Sequence, residues 1–61
     1  MYTASWEIVD EDREDFGECD TQNFFTLEKA IDWLGFRLDR WDYNCVVFNS
    51  EGQIVLTGWM A

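Results

Sequence analysis

From Tyr2 to Val9 apolar and polar side chains alternate, with Tyr2, Ala4, Trp6 and Ile8 on one side and Thr3, Ser5 and Glu7 on the other. A period of two predicts a half-buried strand. After Thr26 the period changes. Leu27, Ile31, Leu34, Leu38 and Trp41 step by four, three, four and three, with Ala30 beside them, which predicts one helix from about Leu27 to Trp41 with a continuous apolar stripe. Thr26 suits the N-cap, where its hydroxyl accepts from a free amide of the first turn, and Glu28 suits the positive helix end. Gly35 is carried inside this helix at a cost of about 1 kcal/mol relative to Ala. The runs 45–49 and 53–59, β-branched and aromatic, flank Ser50-Glu51-Gly52. They read as an antiparallel hairpin in which Gly52 supplies a positive φ.

Between the first strand and the helix, Asp10 to Asp15 can bury nothing and form a turn or a hairpin tip. Residues 16–25 either pair back onto the first strand or run as a loop, and an irregular strand over part of them is expected. The simplest assembly is α+β: an antiparallel sheet of three or four strands with one helix packed on one face, in the order β-(β)-α-β-β. Residues 1–61 make a single domain. A chain this short buries only about 60% of the surface its unfolded form exposes. Eleven aromatic residues, Trp6, Trp33, Trp41 and Trp59 among them, still separate it from acidic disordered tails.

Charge changes this picture most. Residues 1–20 hold eight acids against the single base Arg13, a net −7, so the other residues contribute only −2 of the total −9. So dense a block makes a directional field that attracts a basic partner and repels nucleic acid and anionic membrane. If extended, Asp10, Asp12 and Glu14 would lie roughly 7 Å apart at about 3.3 Å rise per residue, a row of charge broadly like successive backbone phosphates. On a helical wheel Glu28, Asp32, Asp39 and Asp42 fall within about 80° of one another. They form a second acidic stripe beside the apolar one, or else a solvated helix face.

Chemistry beyond charge is sparse. With no His, neither the usual general base nor a Ser-His or Cys-His pair can be built, so no enzyme activity and no catalytic residue is expected. No cofactor is expected either, since the glycines are isolated and cradle no phosphate. EF-hand registers begun at Asp10 or Asp12 both fail the ligand pattern, and two cysteines supply too few ligands for structural zinc. Cys19 and Cys45 can pair, although without a secretory signal reduced thiols are the commoner state. No apolar run reaches the roughly 18 residues of a membrane span, and the chain reads as cytoplasmic.

Trp33 and Phe36 point away from the apolar stripe, among Lys29, Arg37 and Arg40. The i, i+4 pairs Lys29 with Trp33 and Trp33 with Arg37 permit cation–π contact. The two rings are either a small second core under the N-terminal segment or an exposed patch for dimerisation or a partner.

Small size, strong acidity and the absence of catalytic groups resemble the small inhibitors encoded by bacteriophages, including anti-CRISPR and anti-restriction proteins that mimic DNA. The resemblance is one of general character over the whole chain. It implies a target in a nucleic-acid-binding complex of host defence, within the host cytoplasm. The expectation is a non-catalytic protein that blocks a basic protein surface, without binding nucleic acid or membrane itself, as a monomer or homodimer. Asp10, Glu11, Asp12, Glu14 and Asp15 would be its main contacts, and Asp32 and Asp39 a second set. The alternative is a small regulatory or assembly module that pairs through Trp33 and Phe36 or a sheet edge, its acidic loop only solubilising.

Overall fold

The alternation at the start of the chain gives a strand with one dry face. A computed structural model describes residues 1–58. In it β1 (Tyr2–Ile8) buries Ala4 and Ile8 and packs Tyr2 and Trp6 against the core, while Glu7 on the other face is exposed. The uncertain stretch after the acids resolves into a regular strand, β2 (Cys19–Phe24), antiparallel to β1 from Tyr2↔Phe24 to Glu7↔Cys19. Its polar sequence fits an edge strand with little to bury.

β3 (Tyr43–Phe48) pairs with the other side of β1, and β4 (Ile54–Gly58) with the outer side of β3, giving the order β2-β1-β3-β4 with every pair antiparallel. The β3–β4 connection has the chemistry the sequence predicts. Gly52 takes φ +81°, and the Asn49 carboxamide oxygen accepts from the amides of Glu51 at 2.9 Å and Gln53 at 3.0 Å. A bulge between Val47 and Phe48 shifts the register beside that turn. Trp59, which the sequence places in the last strand, lies outside the described residues.

The helix is shorter than its periodicity predicts. α1 (Leu27–Leu34) starts where expected, with the Thr26 hydroxyl accepting from the Lys29 amide at 3.1 Å. It ends at Gly35, whose φ of +54° and ψ of −129° leave helical space. A 3-10 helix (Gly35–Asp39) follows. The apolar stripe therefore stops short: Ala30 and Leu34 are buried and Leu38 packs on the core, but Trp41 is exposed. Changing from 3.6 to about 3 residues per turn rotates everything after residue 35 away from the wheel that an unbroken helix would follow.

Helix and sheet enclose one core of Ala4, Ile8, Ala30, Leu34, Tyr43, Cys45 and Val47. Cys45 is buried there, opposite Trp6, whereas Cys19 is exposed and opposite Glu7. Strand alternation thus puts the two free thiols on opposite faces of the sheet, and they do not pair. No helix among the described residues is long and apolar enough to cross a membrane.

Candidate interaction surface

The acidic segment folds as successive turns. The Asp10 carbonyl accepts from the Arg13 amide at 3.2 Å, that of Arg13 from Phe16 at 3.2 Å, and that of Asp15 from Glu18 at 3.1 Å. The Asp10 carboxylate accepts from the Asp12 amide at 3.0 Å, an Asx-type turn that an Asp at this position favours. The segment is therefore not the extended row expected of Asp10, Asp12 and Glu14; the Asp10 carboxylate is held by the turn, and those of Asp12 and Glu14 are exposed.

Arg13 is the residue around which this loop is anchored. Its Nε and Nη2 donate to the two oxygens of Asp15 at 2.8 and 2.7 Å, a planar fork on a planar acceptor. Its Nη1 crosses to Asp42 at 2.8 Å. Arg40 completes the group, with Nε and Nη2 donating to Asp42 at 2.9 Å each. The backbones meet here too: the Val9 amide donates to the Asp42 carbonyl at 2.9 Å.

Asp42 is almost fully buried, its side chain 3% exposed. The hydrogen bonds from Arg40, and then from Arg13, hold its carboxyl far below the usual carboxylate range against the opposing cost of burial. Asp15 is lowered chiefly by its bond from Arg13. The guanidinium of Arg13 is raised in turn, first by Asp15, and that of Arg40 by Asp42. Asp42 is thus a buried structural anion in a partly exposed network, not a member of an exposed acidic stripe. Because the α-helix ends at Gly35, Asp39 belongs to the 3-10 helix and Asp42 to the turn before β3, so the stripe reduces to Glu28 and Asp32 on α1. Asp32 and Asp39 are both exposed.

The aromatic pair also divides. Trp33 is half-buried, its ring 5.6 Å from that of Phe24, and packs against the core. Phe36 stays 58% exposed, edge-on to Tyr43 at 5.7 Å. The expected cation–π partners are replaced. Arg37 turns inward once the helix breaks, and its guanidinium lies 4.4 Å from the Trp6 ring, 4.8 Å from Phe36 and 5.4 Å from Tyr43. Arg13 covers Tyr43 at 5.2 Å. Four residues were absent from the site expected from sequence: Arg40 belongs to the arginine–aspartate network, Tyr43 lies under Arg13 and Arg37, Arg37 meets the rings, and Trp41 lines the adjoining cleft. A single base within an acid run and a Gly inside a helical pattern were the two available signals.

Arg13, Arg40 and Asp42 also line a cleft of about 470 Å³ with Asp10, Phe36, Trp41 and Tyr43. Of the seven acids singled out from the sequence, Asp10 alone reaches it. Glu11, Asp12 and Glu14 are exposed on the adjoining turns. Among the described residues no three Cys, Asp or Glu side chains converge as a metal cage. Compared with protein-family models, curated proteins and solved structures, the chain matches none.

Proposed function

We propose that this is a small acidic binding protein of the cytoplasm that occupies a basic, nucleic-acid-binding surface of a partner protein, in the manner of a phage inhibitor of host defence such as an anti-CRISPR. The observation that carries the reading is the use of Arg13. The single base among the first twenty residues is spent inward on Asp15 and Asp42, so it neutralises none of the outward acids. Glu7, Glu11, Asp12, Glu14, Glu18 and Asp20 are exposed and in no ion pair among the described residues. Glu11, Asp12 and Glu14 make the main contact, with Asp10 and Asp15 holding the turn that presents them and Asp32 and Asp39 as outlying charges. Binding is driven by steering and counterion-like contacts, so it weakens as the screening length shrinks below about 10 Å.

The test is a pull-down from bacterial lysate with tagged wild type and with the Glu11→Gln, Asp12→Asn, Glu14→Gln triple variant, washed at low salt and at about 0.5 M salt. Recovery of a nucleic-acid-binding complex that salt or competing DNA releases, and that the variant fails to capture, is the expected result. Equal capture by the variant overturns the reading.

A second reading, a module that pairs with its own copy, is favoured by β4. This edge strand carries no charged residue and leaves Ile54 59% exposed with Val55 beside it, without the Lys or Pro that usually guards an edge. A dimer seen by light scattering, lost on Ile54→Lys and unaffected by salt, would move the assignment there.

A further inference from the structure

The arginine–aspartate network does more than anchor the loop: it forms the floor of a cleft whose rim is aromatic. Large rings are costly to leave in water, and two on one cleft mark a place where something docks. Phe36 is 58% and Trp41 60% exposed, and the cleft volume of about 470 Å³ falls within the roughly 300–1,000 Å³ of ligand pockets. The Trp41 ring stacks on no other ring and on no arginine among the described residues. No ring or guanidinium therefore already occupies the indole, most of whose surface is exposed.

Charge decides the occupant. In the wall, Arg13 and Arg40 donate through five contacts to Asp15 and Asp42. Three carboxylates, Asp10, Asp15 and Asp42, stand against these two guanidiniums, and exposed Glu11, Asp12 and Glu14 adjoin them on the same loop. The surroundings are net negative, so an anion is repelled and a cation drawn in. Asp10 offers the acceptor: Oδ1 takes the Asp12 amide, and Oδ2 has no partner among the described residues.

Between the two basic side chains, the geometry of the rim favours arginine. A guanidinium is planar, less strongly hydrated than an ammonium, and able to stack on a ring while it donates in its own plane. The molecule already seats one of its own guanidiniums against rings, that of Arg37 4.4 Å from Trp6 and 4.8 Å from Phe36.

We propose that the cleft takes one arginine side chain of the basic partner, its guanidinium stacked on Trp41 beside Phe36 and donating to Asp10. This rests on the function proposed above and gives it an anchor: the loop acids supply long-range attraction, and the Trp41 cleft supplies preference for arginine over lysine. Trp41, Phe36 and Asp10 are then the specificity residues.

The experiment compares hexa-arginine and hexa-lysine peptides, equal in charge, by calorimetry and by the indole N–H resonances of the protein. The expected preference for hexa-arginine is about two- to fivefold, the size of one exposed cation–π contact. The Trp41 indole resonance should move on saturation. Trp41→Ala, at an exposed position and with folding checked by its amide spectrum, should bind both peptides equally while keeping the salt dependence. A preference that survives Trp41→Ala, or an indole resonance that stays still, overturns the cleft. The Glu11→Gln, Asp12→Asn, Glu14→Gln variant should lose affinity for both peptides alike; undiminished affinity overturns the loop reading instead, whatever Trp41 does. If neither peptide binds wild type, both fall.

Discussion

Arg13 and Asp42 lie 29 positions apart and meet at 2.8 Å, Nη1 to Oδ2, joining the acidic loop to the turn that opens β3. The pair is lopsided. Asp42 is 3% exposed and Arg13 28%, so removing Arg13 leaves a buried carboxylate with Arg40 as its remaining ion-pair partner, whereas removing Arg40 leaves it the less exposed one. Breaking one arm of a buried charge group costs more than replacing the whole group by apolar side chains. Arg13→Ala should therefore lower the urea midpoint more than Arg40→Ala, and Asp42→Ala should also loosen the loop, which then exchanges its Arg13 and Phe16 amides faster. Equal midpoints for the two arginine variants would show that the link across the chain contributes nothing beyond the local Arg40 contact.

Acid should expose the same network. Asp42 and Asp15 have lowered folded pKa values, so below the unfolded carboxylate value of about 4 the unfolded chain binds more protons than the folded one. Stability from these groups is present above that pH and is lost as pH falls toward their folded values. The exposed acids act oppositely, because protonating them relieves repulsion in a chain of net charge −9. The informative quantity is thus the difference between wild type and Asp42→Asn: wild type should lose its advantage between pH 4 and lower, and parallel acid limbs would contradict the role given to Asp42.

At Gly35 the φ of +54° is one that side chains with a Cβ rarely adopt, although open space surrounds the position. Gly35→Ala should cost about 1 kcal/mol or more through backbone strain alone, comparable to the roughly 1 kcal/mol expected of Thr26→Ala at the other end of α1. Denaturant midpoints measure both. A stabilising Gly35→Ala would mean that the helix continues through residue 35 after all.

That glycine also marks the boundary of what the sequence makes legible. Alternation found β1, the Thr26 cap found the start of α1, and the Gly52 turn found the β3–β4 hairpin, because each is settled by neighbours within a few positions. The stop at Gly35 was invisible to periodicity, because Leu38 and Trp41 keep the helical rhythm; its one local sign was the glycine itself, which takes the positive φ that ends a helix. Everything placed by extending the wheel went with it, including Trp41 in the core, Asp42 on a solvated stripe and Arg37 beside Trp33. The loop acids were legible as charge but not as geometry, since the residue that anchors the loop through Arg13, Asp42, is distant in sequence.

Leu34 is fully buried at the centre of the core. Leu34→Ala should cost about 2–5 kcal/mol, against a total of roughly 3–5 kcal/mol for a domain of this size. The variant should therefore be largely unfolded at 25 °C by near-ultraviolet circular dichroism, while Phe25→Ala, at a side chain left 84% exposed, should be nearly neutral. A cooperatively folded Leu34→Ala protein would place the main stability elsewhere, in the arginine–aspartate network.

The two thiols offer a readout of global opening that needs no partner. Cys19 is exposed on β2 and should react with a thiol reagent at once. Cys45 sits at the core, and burial raises its pKa, with the nearby Arg37 charge only partly offsetting this; the thiolate, which is the reactive form, is therefore scarce as well as inaccessible. Its labelling has to wait for the sheet to open. With global stability of about 3–5 kcal/mol, the second thiol should react roughly a hundred to a few thousand times more slowly than the first, at tenfold per 1.4 kcal/mol. Urea should close the gap in step with unfolding. Mild oxidation should yield a Cys19-linked dimer and no intramolecular bridge, because the sheet keeps the thiols on opposite faces. Rapid labelling of both cysteines in native buffer would show that β3 opens locally, and the Arg13–Asp42 link that pins its first turn would be the first contact to re-examine.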